Sequence, residues 1–173
     1  MFLKVLGAFL VVLSCSRLGV YMAARLSERR GLLKKIRVMV IHLRGEILYA
    51  NAPLYEGFQK AGRRAGGREG LLFETVSEQL LKEQGKEFFA IWQDAVTSYL
   101  PQTPLIKEEG EQLLAFGEHL GYLDREMQER TLSLYLEELE REMEELNQEI
   151  AQKGRLYTSA GILTGLFLAV IFI

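Results

Sequence analysis

Few side chains in this chain have the type and spacing that chemistry requires. Cys15 is the sole cysteine, which rules out an intramolecular disulfide and a thiolate zinc cluster. His42 and His119 stand without a Cys, Asp or second His at ligand spacing, so each reads as an ordinary helix residue and no metal is expected. The stretch Gly62-Arg63-Arg64-Ala65-Gly66-Gly67-Arg68 lacks the Gly-Lys-Ser/Thr ending and the preceding strand of a phosphate loop; it reads as a flexible connection. With no shared cleft of ionisable groups recognisable, the sequence offers no catalytic residue and no cofactor site, and an enzyme is the weakest reading.

Charge is more informative. The formal net charge is −2, yet residues 17–44 carry a balance of +7 and residues 107–149 a balance of −10. A phosphate-tracking surface needs one continuous positive stripe, so nucleic acid is not expected as a partner. Glu138, Glu142 and Glu145 recur at helical spacing within the acidic stretch, where they form either a solvated face or a docking face for a basic partner.

The two ends are apolar. Residues 156–173 carry no charge, and about 17 to 25 such residues cross a bilayer as a helix that satisfies its own backbone hydrogen bonds. Residues 1–24 are interrupted by Arg17, whose long stem lets its charge reach the interface. Val12-Leu13-Ser14-Cys15 loosely matches a lipoprotein processing box, but Leu13 fits it poorly and no polar tether follows; an uncleaved anchor is the better reading. Arg25, Arg29, Arg30, Lys34, Lys35 and Arg37 follow the first segment, and Lys153 and Arg155 precede the last. Positive charge is retained on the cytoplasmic side, so the middle is expected in the cytoplasm and next to lipid headgroups. Gly161 and Gly165 form a small-xxx-small pattern suited to close helix packing, and through it to a homo-oligomer. The expected division is a spanning helix at 1–24, a cytoplasmic bundle at 25–155 and a second spanning helix at 156–173.

The middle has helical periodicity throughout. Ile36, Val40, Leu43, Ile47 and Ala50 predict a helix over about 32–50. Asn51 is placed to cap a second, with Pro53 in its first turn and Leu54, Phe58 and Ala61 facing inward. Leu72, Phe73, Val76 and Leu80 predict a third over 68–84, ended or kinked at Gly85. Phe88, Phe89, Trp92, Val96 and Tyr99 form a fourth before Pro101; at this spacing they read as core more readily than as a ligand groove. A fifth is expected to start at Thr103-Pro104, carry Leu105, Leu113, Leu114, Phe116 and Leu120, and end at Gly121. Asp124 opens the sixth, whose seam is Leu132, Leu136, Leu139, Met143, Leu146 and Ile150. The expected fold is an all-α bundle of about six helices.

Two stretches carry a family resemblance. Glu46-Ile47-Leu48-Tyr49-Ala50-Asn51-Ala52-Pro53-Leu54 and Phe116-Gly117-Glu118-His119-Leu120-Gly121-Tyr122-Leu123-Asp124-Arg125-Glu126-Met127-Gln128 resemble the signature stretches of the stage III sporulation protein AB family. The second is also similar to the cytoplasmic domain of the inner-membrane platform proteins of type II secretion and type IV pilus machines. As chemistry these are capping and close-packing positions: Gly117 and Gly121 permit close helix approach or a turn, Asp124 can cap, and Gln128 can hydrogen-bond across the turn. Asn51 and Ala52 depart from the more typical Gly or polar residue and Thr before Pro53.

The resemblance implies a membrane platform in the channel between mother cell and forespore, in the mother-cell (outer forespore) membrane. The implied partners are the AA protein, a secretion-type ATPase, and the other channel proteins. Without the resemblance, a membrane-tethered helical adaptor or regulatory bundle unrelated to secretion would have the same features.

Overall fold

The computed structural model describes residues 2–83, 85–121 and 124–172, and their side chains from 7 to 167 except those of 8, 9, 11, 154, 155, 157, 158, 161, 162, 165 and 166. Six α-helices and no strand occur among the described residues: α1 Phe2–Leu48, α2 Leu54–Ala65, α3 Gly67–Lys82, α4 Phe88–Tyr99, α5 Lys107–Leu120 and α6 Arg125–Phe172. One 3-10 turn, Leu100–Gln102, follows α4. The chain divides into two compact units, Gly31–Met143 on one hand and Met1–Arg30 with Glu144–Ile173 on the other.

The second of these contains the beginning of α1 and the end of α6. Leu146 is buried there, and Glu149 is paired with Lys153 at 2.7 Å and with Arg29 at 4.0 Å. Among the described residues, no helix is long and apolar enough to cross a membrane. Much of both expected spans falls outside the described side chains, and the described part of the first is short and includes Ser14, Ser16 and Arg17.

In the unit Gly31–Met143 the core is built as helical periodicity dictates. Leu33, Ile36, Met39, Val40, Leu43 and Ile47 bury one side of α1, while Lys34 and Lys35 are exposed. Ala50, expected on that side, is exposed because α1 has already ended at Leu48. Leu132, Leu136 and Leu139 of α6 are buried, joined by Tyr135, which the leucine seam did not include.

Two helix starts differ from the sequence expectation. Asn51 caps nothing: it adopts φ 51° beyond the end of α1, and α2 begins at Leu54 after an extended Pro53. Its neighbour Ala52 donates its N–H to the Glu46 carbonyl at 3.0 Å, which places Asn51 in the left-handed position that ends helices. Thr103 closes the preceding turn instead of opening α5, its hydroxyl donating to the Leu100 carbonyl at 2.8 Å. The start of α5 at Lys107 is set by Glu109, whose buried carboxylate accepts the Ile106 N–H at 2.9 Å.

The glycine stretch between α2 and α3 is a packing device, and the flexible connection expected there is corrected. Gly62 lies inside α2 and Gly70 inside α3, and the two backbones meet there: a Cβ on Gly62 would stand 2.7 Å from the Gly70 carbonyl oxygen, and one on Gly70 would collide with the Gly62 carbonyl. Gly66 and Gly67, at φ 61° and 65°, turn the chain sharply enough to bring them together.

Candidate functional site

Trp92 is the centre of the unit Gly31–Met143. Its ring centroid lies 5.7 Å from that of Phe58 on α2, 6.0 Å from Phe73 on α3 and 5.6 Å from Phe116 on α5, and Phe116 stacks at 4.6 Å on Tyr135 of α6. The indole is fully buried, and its Nε1–H donates to the Leu113 carbonyl at 2.9 Å. Of the aromatic row of α4, Trp92 and Val96 are core, Phe88 and Phe89 are half-buried, and Tyr99 is half-buried and lines a groove against α3. A buried indole needs a hydrogen-bond partner, and the helical spacing could not say that a backbone carbonyl of α5 supplies it.

The second sequence stretch accommodates that ring. Gly117 sits where any Cβ would overlap Trp92, and at Gly121 a Cβ would stand 3.0 to 3.1 Å from Phe88. The end of α5 and the start of α6 each carry a side-chain hydrogen bond. The Asp124 Oδ1 accepts the Glu126 N–H at 3.2 Å at the start of α6, and the Gln128 Nε2 donates to the Leu120 carbonyl at the end of α5, also at 3.2 Å.

The first stretch forms the corner from α1 to α2. Glu46, only 8% exposed, pairs with Lys60 at 3.1 Å and Arg64 at 3.7 Å, both from α2. Hydrogen bonds that Lys60 donates to Glu56 and Glu46 raise its pKa above the ordinary 10.5. Pro53 and Leu54 start α2. Arg125 from the second stretch, at the start of α6, donates to the Asn51 Oδ1 at 2.6 Å across 74 positions of sequence. The two stretches are thus neighbours in space, and their roles are capping, close approach and corner formation.

The family model of stage III sporulation protein AB matches residues 4–173. Stage III sporulation protein AB of Bacillus subtilis (strain 168) is 31% identical over 166 residues, covering 96% of each chain. The chain belongs to the stage III sporulation protein AB family. A solved structure of a stage III sporulation protein AB superposes with a TM-score of 0.65 at 28% identity, covering 71% of this chain and 96% of that one.

For a member of the stage III sporulation protein AB family, the acidic residues of α6 take up unequal positions. Glu138 accepts from the Gln112 Nε2 at 3.0 Å and lies 3.7 Å from Arg141. Glu142 is half-buried with a shielded Oε2 that has no hydrogen-bond partner. Burial raises its pKa and Glu109 and Glu138 add to the effect, against the Gln112 hydrogen bond and Arg141. Glu145 is exposed and belongs to the other compact unit. These three carboxylates are therefore not one uniformly solvated face. Gly161 and Gly165 lie outside the described side chains.

His42 is half-buried and His119 exposed. Among the described residues, no group of three or more His, Cys, Asp or Glu is placed to hold a metal ion. The feature that periodicity missed is a groove of roughly 320 Å³ between α3 and α4, lined among others by Arg68, Leu71, Thr75, Gln79 and Tyr99. Burial pushes the Tyr99 phenol up to about 12, with Glu69 adding and Arg68 opposing.

Proposed function

We propose that this chain is a non-enzymatic platform of the channel between mother cell and forespore, anchored in the mother-cell (outer forespore) membrane with its helical bundle in the cytoplasm. The observation that carries the reading is the family match, which runs from residue 4 to residue 173 and so takes in both apolar end segments as well as the bundle. Those segments supply the anchors, with lipid contacts at the basic flank after the first, and the bundle supplies a cytoplasmic surface. On this reading the bundle docks a secretion-type ATPase, the AA protein of the same sporulation stage, and acidic residues of α6 take part through charge-assisted contacts.

The test is binding of the purified full-length chain, in detergent micelles, to the AA protein. Glu138→Lys with Glu145→Lys is the informative pair, because Glu142 has a shielded oxygen and its reversal would disturb packing. Affinity and its salt dependence are expected to fall while the helical signal stays unchanged. Absence of any binding by the unaltered chain would remove the platform reading; equal binding by the reversed chain would remove only the acidic face.

A further inference from the structure

The solvent side of α3 has a pattern that fits its own copy. Arg68, Leu71, Thr75 and Glu78 are all exposed, and their spacing of three, four and three is symmetric about position 73. One end of the stripe is a cation, the other an anion, and the middle is apolar and small. Two such helices laid antiparallel about that centre place Arg68 of each beside Glu78 of the other, with Leu71 of each over Thr75. The ten positions from Arg68 to Glu78 span about 15 Å of helix, so the two charges cannot pair within one chain.

The groove between α3 and α4 shares three residues of this stripe. It runs beside this stripe and is lined by Arg68, Leu71, Thr75, Gln79, Ser98 and Tyr99 among others. Leu71 is 58% exposed at its rim, a large apolar side chain facing solvent. The Gln79 Oε1 is shielded from solvent yet has no hydrogen-bond donor. Consecutive residues point about 100° apart round a helix, so this shielded oxygen takes no part in the pairing at the exposed Glu78. In the single chain Arg68 donates to Gln102 at 2.7 Å and Glu78 pairs with Lys82 at 3.3 Å, both at exposed positions where exchange of partners costs little.

We infer that the chain forms a two-fold symmetric dimer through antiparallel α3 helices, with Leu71 of each copy seated at the α3–α4 groove of the other and Arg68 of each paired with Glu78 of the other. A two-fold interface requires one patch to complement itself, and this stripe does so in charge, size and spacing. The inference is independent of the ATPase reading.

Charge exchange tests it in the full-length chain, by sedimentation velocity in detergent micelles with the bound detergent accounted for. The unaltered chain is expected to sediment as a dimer. Arg68→Glu alone and Glu78→Arg alone are each expected to shift it to monomer, because each places like charges opposite one another. Mixing the two single variants is expected to restore a dimer containing one of each. At one end of that mixed pair the introduced carboxylate of the first chain faces the introduced guanidinium of the second; at the other end the native Glu78 of the first faces the native Arg68 of the second. The double variant R68E/E78R is expected to dimerise by itself. Restoration on mixing cannot come from repaired folding, because each chain still carries its single change. A monomeric unaltered chain, singles that remain dimeric, or a mixture that fails to pair would each overturn the inference. Loss of ATPase binding in R68E with the chain monomeric throughout would assign the groove to that partner instead.

Discussion

The indole of Trp92 fills the space that a Cβ on Gly117 would need, and its Nε1–H reaches one turn back along α5 to the Leu113 carbonyl at 2.9 Å. One residue without a side chain and one with the largest therefore define how α4 and α5 approach.

Gly117→Ala forces a methyl group into that ring, and in a close-packed core such overpacking costs about 1–3 kcal/mol. The expected result is a lowered denaturant midpoint and a changed Trp92 fluorescence. Gly31→Ala is the control, since a Cβ there meets nothing within 4 Å in the interior of α1. It is expected to stabilise by about 0.5–1 kcal/mol through helix propensity.

At the crossing of α2 and α3 the obstacle is backbone. Gly62→Ala and Gly70→Ala are each expected to destabilise at least as much as Gly117→Ala, because a carbonyl held in a helix cannot rotate aside as a side chain can. Thermal unfolding of the two single variants and the double variant checks this. The double variant is expected to cost less than the sum of the singles, since either methyl group already separates the helices.

Asn51 predicts a split between two substitutions. Its φ of 51° suits Gly and disfavours a residue with Cβ and no local hydrogen bond. Asn51→Ala is expected to cost about 1–2 kcal/mol by chemical denaturation. Asn51→Gly loses only the exposed bond to Arg125, a contact of the kind worth about 0–1 kcal/mol, and is expected to stay close to the unaltered chain.

Glu142 makes stability depend on pH in a definite direction. Burial holds its folded pKa above the ordinary 4.5, and the groups facing it are Glu109, Glu138, Arg141, Gln112 and Tyr135. The folded state therefore binds the proton more readily than the unfolded state. The penalty is fully present above the folded pKa and is relieved as pH falls through it toward 4.5. Glu142→Gln is expected to raise the unfolding midpoint at neutral pH and to flatten this part of the profile. A midpoint lowered equally at neutral and at mildly acidic pH would show that the carboxylate is stabilising in its charged form.

How much of this was legible beforehand differs residue by residue. Periodicity alone identified six helices and most of their buried faces, because the side chains that leave water must recur on one side of each helix: Ile36, Val40 and Leu43 on α1, Leu72, Phe73 and Val76 on α3, Leu132, Leu136 and Leu139 on α6. The two signature stretches carried the resemblance to the family, and the structure gives two of their residues physical roles: Gly117 permits a close approach and Asp124 caps α6.

Only the tertiary structure decided which partner each of these residues serves. Gly62 reads as a chain break until Gly70 is brought against it by the turn at Gly66 and Gly67, and Asn51 reads as a cap until α1 stops before it and Arg125 arrives from 74 positions away. Glu142 reads as one of many surface carboxylates until packing shields its oxygen and sets it beside Gln112 and Glu109 of α5. A helix's own pattern records which side is buried, because burial is a property of single residues. Close approach, ion pairing and a shielded oxygen are properties of pairs distant in sequence, and they exist only once the helices have packed.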